Sequence, residues 1–134
     1  MSLRNKLRSA TLGNVRAFRS QVVKVSASID GVTEELEVEV REPSVALRAR
    51  ILKEAGVQGG DASRIDLARL QVEAVMLCSY VPGTTERVFD DVDRETLLSL
   101  PPGGFLDTIS AVAMRFLNVD EDDIKKNSAT TVSG

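Results

Sequence analysis

The chain has 134 residues, 43% apolar and 28% charged, which describes a single globular domain able to bury its own core. It has no histidine and one cysteine, Cys78, which excludes Ser-His-Asp and Cys-His mechanisms, thiol–imidazole zinc sites and an intrachain disulfide. No run approaches the roughly 20 apolar residues of a membrane-spanning helix, and aromatics at 4% without tryptophan argue against a single-strand nucleic-acid platform.

The net charge of −3 hides a split. Residues 1–20 carry Arg4, Lys6, Arg8, Arg16 and Arg19 with no acid, whereas the remainder holds 12 basic and 20 acidic side chains, a net −8. Neither an apolar targeting core nor a small-residue cleavage site follows. The segment therefore reads as a basic flexible leader. It could dock on its own acidic body, grip nucleic acid or meet a protein partner, and charge alone does not separate these.

Residues 22–41 read as two strands. Val23, Val25, Ala27 and Ile29 alternate with polar residues, as do Leu36, Val38 and Val40 after the turn. Asp30-Gly31 between them is a two-residue hairpin signal. That turn sets Ile29 opposite Val32, Val25 opposite Leu36, Val23 opposite Val38 and Lys24 opposite Glu37. A lone hairpin is marginal, so helices must cover its apolar face.

Four helical segments follow. Ser44 caps the first after Pro43, with Leu47, Ile51 and Ala55 on one face and Gly56 at its end. Ser63, with Asp66 three residues on, starts the second, over 64–81. Its later half, Ala74 to Cys78, is apolar on every side, as in a buried central helix or an oligomer interface. Asp90 caps a third, short helix with Asp93 at its third position and Leu97 and Leu98 facing inward. Pro101-Pro102-Gly103-Gly104 breaks the chain before the fourth, which carries Phe105, Ile109, Val112, Ala113 and Phe116 and closes at Asn118. Residues 120–134, acidic and then Ser/Thr-rich, read as a disordered tail. The expected fold is α+β: a hairpin packed on about four helices, a single domain over 21–119.

Candidate chemistry is sparse. Asp90, Asp91, Asp93 and Glu95 fail the calcium-loop pattern, since the sixth and twelfth positions from Asp91 are Thr96 and Pro102. Helix capping accounts for these acids. No glycine-rich phosphate loop exists, and Cys78 in its apolar run reads as an inert buried thiol.

The run from Val81 to Leu98, Val-Pro-Gly-Thr-Thr-Glu-Arg-Val-Phe-Asp-Asp-Val-Asp-Arg-Glu-Thr-Leu-Leu, resembles the tail assembly chaperones of long-tailed bacteriophages. There an apolar helix ends in a turn, a Phe-polar-Asp-x-Asp segment opens a short helix, and a Pro/Gly break precedes a helix ending in Leu-Asn. The matching residues are Phe89, Asp90, Asp91, Asp93, Leu97, Pro101, Phe105, Leu117 and Asn118. The hairpin followed by Arg41-Glu42-Pro43-Ser44 is similar too, and the likeness spans about residues 20–126.

The resemblance implies a non-enzymatic role without cofactor or metal. Such chaperones keep the long tape measure protein soluble in the cytoplasm of the infected bacterium, recruit tail tube protein subunits, and are absent from the mature virion. It further implies self-association and, in many members, a longer form made by ribosomal frameshifting, for which the Lys125-Lys126 codons are the candidate position. A client helix needs an apolar groove. Met76 and Leu77, with the strand residues Val23, Val25, Val38 and Val40, are the candidate partner or self-association surface, and the alternative is that they are simply core. Other readings are a head–tail connector or tail completion protein, a nucleic-acid-binding regulator using the arm at 4–19, and a carboxylate enzyme built on Asp90, Asp91, Asp93 or Asp107.

Overall fold

A computed structural model describes residues 2–12, 17–56 and 66–117. Strands β1 (Ser20–Ile29) and β2 (Val32–Arg41) form the expected hairpin. The register is the one the turn imposes: Ile29 faces Val32, Val25 faces Leu36 and Val23 faces Val38. Lys24 sits opposite Glu37 but reaches diagonally, its Nζ 4.0 Å from Glu35. Asp30 and Gly31 both take positive φ, 50° and 79°, the backbone of a tight hairpin turn that follows strand twist.

Nothing lies within 4 Å of a Cβ built on Gly31, so a side chain there meets a conformational cost and no clash. Gly31→Val is therefore expected to destabilise the fold by roughly 1–2 kcal/mol, read as a lower urea midpoint. An equal loss for Gly31→Asn, which tolerates the left-handed region, would contradict that cause.

Helix α1 (Leu3–Leu12) precedes the hairpin. Residues 1–20 were expected to be a basic flexible leader, and within α1 Leu3 and Leu7 supply only a short apolar repeat. Helix α2 (Val45–Glu54) starts at Ser44, whose Oγ accepts from Leu47 N at 3.2 Å, and ends before Gly56, whose φ is 93°. Helix α3 spans Leu67–Cys78. Its cap is Asp66, whose Oδ1 accepts from Arg69 N at 3.1 Å. The expected capping position, Ser63, lies outside the described residues.

The second helix is also shorter at its far end than the expected 64–81. Ser79 turns extended, and Ser79–Tyr80 form a third strand, β3, beside β2. Val40 pairs with Ser79 and Glu39 with Tyr80. The backbone there bonds to a sheet edge from distant sequence, which local periodicity does not register.

A 3₁₀ turn over Asp91–Asp93 leads into α4 (Arg94–Leu98). Asp93 Oδ2 accepts from Asp90 N at 2.8 Å, the capping expected from the sequence, though the short helix divides into two kinds of turn. After Gly103 and Gly104, at φ 92° and 75°, α5 (Phe105–Phe116) runs to Leu117. Arg48 Nε on α2 donates to the Leu117 carbonyl at 2.9 Å, satisfying an end group of α5. Asn118 lies outside the described residues, as does the 120–134 tail.

α3 is the centre. It packs on α2, α4, α5 and β2, which is why its second half is apolar on all sides. Ala74, Val75, Met76, Leu77 and Cys78 are each at most 1% exposed. α5 covers the inner face of the hairpin, burying Val23, Val25, Val38 and Val40. No described helix is long and apolar enough to cross a membrane.

Candidate functional site

A groove of about 290 Å³ opens where the base of the hairpin meets α2, α3 and β3. Leu77 forms its floor, Pro43, Leu47 and Tyr80 its walls, and Phe18, Arg41, Glu42 and Ser44 its rim. The volume is at the lower end of small-molecule pockets, roughly 300–1,000 Å³, and suits one or two side chains of a protein partner. Phe18 stands 66% exposed at the mouth, an aromatic left uncovered beside an apolar floor. One side of the groove is the Arg41-Glu42-Pro43-Ser44 quartet, because Pro43 follows β2 and Ser44 caps α2 at that point.

The rim charges are fixed by pairing. Arg19 donates to Glu42 through Nε at 3.1 Å and a terminal guanidinium nitrogen at 2.7 Å, and its guanidinium lies 5.4 Å from the centre of the Phe116 ring. Arg19 thus clasps the hairpin base to α5 instead of extending a free basic arm. Arg16 lies outside the described residues, so Arg4, Lys6 and Arg8 are the described remainder of that arm.

Arg41 stacks 4.3 Å from the Tyr80 ring centre, donates to Glu39 through Nε at 2.9 Å, and donates to the Thr84 carbonyl. Glu39 also accepts from Gly83 N at 2.9 Å. Together these groups lock the turn after β3 onto β2.

The Arg41 guanidinium first, then the Gly83 N–H, hold the Glu39 carboxyl at about 2, below the ordinary 4.5. A depressed carboxyl contributes stability that is fully present above the unfolded value and lost as pH falls through the folded one. The protein is therefore expected to lose stability between pH 4.5 and about 2. Glu39→Gln should flatten that part of the profile while lowering stability at neutral pH, as read by urea midpoints. An unchanged acid limb would contradict this role.

The residues singled out at 89–105 converge in part. The Phe89 and Phe105 rings stack with centroids 6.3 Å apart and planes 12° from parallel, tying the loop before α4 to the start of α5. Leu97 is buried on α4, which packs on α3, while Pro101 is exposed. The acids are held in local pairings: Asp93 caps the 3₁₀ turn, Asp107 accepts from Gly103 N at 2.8 Å, and Asp91 faces Arg94 and Arg50. No group of metal-ligating side chains occurs among the described residues. Cys78 is fully buried, and desolvation pushes its thiol up to about 12, so the reactive thiolate is suppressed.

The strand and helix residues that read as either a partner surface or core are buried here. Val23, Val25, Val38, Val40, Met76 and Leu77 are all at most 7% exposed, because α5 and α3 fill the space against the sheet. They lie in the core, and Leu77 also lines the groove as its floor. The groove's aromatic residues, Phe18 and Tyr80, escaped the sequence reading. Their one signal is rarity, as two of only five aromatic side chains. The candidate frameshift residues Lys125 and Lys126 lie outside the described residues.

No family model matches the chain, and no curated protein matches it. Among solved structures it is similar to one described as the structure of the bacteriophage HK97 tail assembly chaperone, at 18% identity over 85% of this chain and 99% of that chain, with a TM-score of 0.45. An overlap of that size is a likeness of outline and assigns no activity.

Proposed function

We propose that the chain is a tail assembly chaperone of a long-tailed bacteriophage. It keeps the tape measure protein soluble and helps recruit tail tube protein during tail morphogenesis. It self-associates, works in the cytoplasm of the infected host and does not remain in the virion.

The observation that carries this reading is the order of the residues. The hairpin, the Arg41-Glu42-Pro43-Ser44 link, the apolar helix, the Phe89–Asp93 segment and the Pro/Gly break before the last helix follow one another as in that family. The groove adds a physical means. An apolar floor at Leu77 with Phe18 exposed at the mouth suits an apolar residue projecting from a client helix, and the paired charges at the rim keep an empty groove wetted. A longer form, frameshifted at the Lys125-Lys126 codons, would carry the tube-binding extension.

Two measurements test the reading against a head–tail connector. Mass spectrometry of purified particles should find no copies of this chain, whereas a connector is retained at fixed stoichiometry. Expression of the native gene with its downstream DNA should yield a minor larger product, lost when the Lys125-Lys126 codons are changed synonymously. Retention in the particle would overturn the chaperone reading, and a single band would remove the two-form part.

A further inference from the structure

The hairpin is longer than the body that covers it. Its inner face is buried at Val23, Val25, Val38 and Val40, and the same face then continues uncovered. On that overhang Ile29 is 46%, Val32 61% and Leu36 39% exposed, with Glu34 among them. Residues 26–37 hold four acids, Asp30, Glu34, Glu35 and Glu37, and no base. A two-stranded tip with one apolar face is marginal without a cover.

Helix α1 is the complementary surface. Leu3 and Leu7, one turn apart, are 73% and 58% exposed. The helix carries Arg4, Lys6 and Arg8 and no acid. Its ten residues span about 15 Å, close to the ~14 Å that β2 covers from Val32 to Leu36. Leu3 and Leu7 on the one side and Ile29, Val32 and Leu36 on the other are thus left exposed among the described residues.

We infer that α1 of one copy seats on the hairpin overhang of a second copy. Leu3 and Leu7 then cover Ile29, Val32 and Leu36, and Arg4 and Lys6 of α1 face Asp30 in the turn and Glu34, the acid that shares this face of β2. The two surfaces differ, so the contact is head-to-tail and repeats from copy to copy until it closes or is capped. It rests on the self-association in the reading above and not on client capture, since none of its residues lines the groove.

The full chain and two variants test this by light scattering after size exclusion. The wild type should be larger than one chain, and should shrink as salt screens the charge pairing. Leu7→Glu, altered only on α1, and Val32→Lys, altered only on the overhang, should each weaken association by about tenfold or more while melting like the wild type. Mixed together, the two variants should form a 1:1 pair, since the Leu7→Glu chain keeps an intact overhang and the Val32→Lys chain an intact α1. A monomeric wild type, assemblies that survive both substitutions, or variants that do not pair on mixing would overturn the proposal. Assemblies lost in Val32→Lys but not in Leu7→Glu would also overturn it, by assigning the overhang to another segment. Client solubilisation that persists in the Leu7→Glu monomer would separate failure of this contact from failure of the chaperone reading.

Discussion

Arg94→Met is expected to lower the unfolding free energy by about 3 kcal/mol and the melting temperature by roughly 10 °C. Glu73 lies on the central helix α3 with its side chain 2% exposed. Arg94, at the start of α4, is its partner: Nε donates to Glu73 Oε1 and a terminal nitrogen lies 3.3 Å from Oε2. Arg94 retains 25% exposure, so water softens the loss, but the substitution still leaves a carboxylate in the core without its cation. Replacing both residues removes that uncompensated charge. The double variant Glu73→Leu/Arg94→Met should therefore be more stable than Arg94→Met alone, and urea unfolding of the four chains gives the coupling. A double variant no better than the single one would mean that the pair acts through packing and not through charge.

Leu77→Ala is expected to cost a similar amount, about 3 kcal/mol within the roughly 2–5 kcal/mol range of buried leucine truncations. Leu77 is fully buried on α3 and also floors the groove, so the substitution leaves a void there. If Leu77 were instead a surface held in reserve for a partner, its truncation would change stability by only a few tenths of a kcal/mol. Thermal and urea unfolding of the isolated chain decide between these outcomes.

The parts of the fold legible in the sequence are those specified locally. Period-2 alternation and Asp30-Gly31 set every pair in the hairpin, because a two-residue turn leaves no freedom in register. The all-round apolar stretch from Ala74 to Cys78 marks the central helix, and Ser44, Asp93 and Gly56 mark helix ends by their capping chemistry.

What escaped is non-local. β3 is two residues whose strand character comes from pairing with Glu39 and Val40. Glu73 looks like any helical glutamate until Arg94, 21 residues away, is placed against it. The groove joins Phe18, the Pro43–Leu47 stretch and the Leu77–Tyr80 stretch, three segments far apart in the chain, so no spacing rule could have assembled it. Val23, Val25, Val38, Val40 and Met76, which read as either a partner surface or core, are buried by α5 and α3, because an apolar pattern reports burial without saying what does the burying.

The central claim is that this chain keeps a long helical client in solution through the groove beside Pro43. The measurement that reaches it most directly is the soluble fraction of the tape measure protein from the same phage genome. That protein would be expressed alone, with this chain, and with Phe18→Asp, a substitution at a 66% exposed position that leaves the core intact. The account predicts an insoluble client alone, a soluble client with the wild-type chain, and a return to the pellet with the variant. A client equally insoluble with and without the wild-type chain would contradict it.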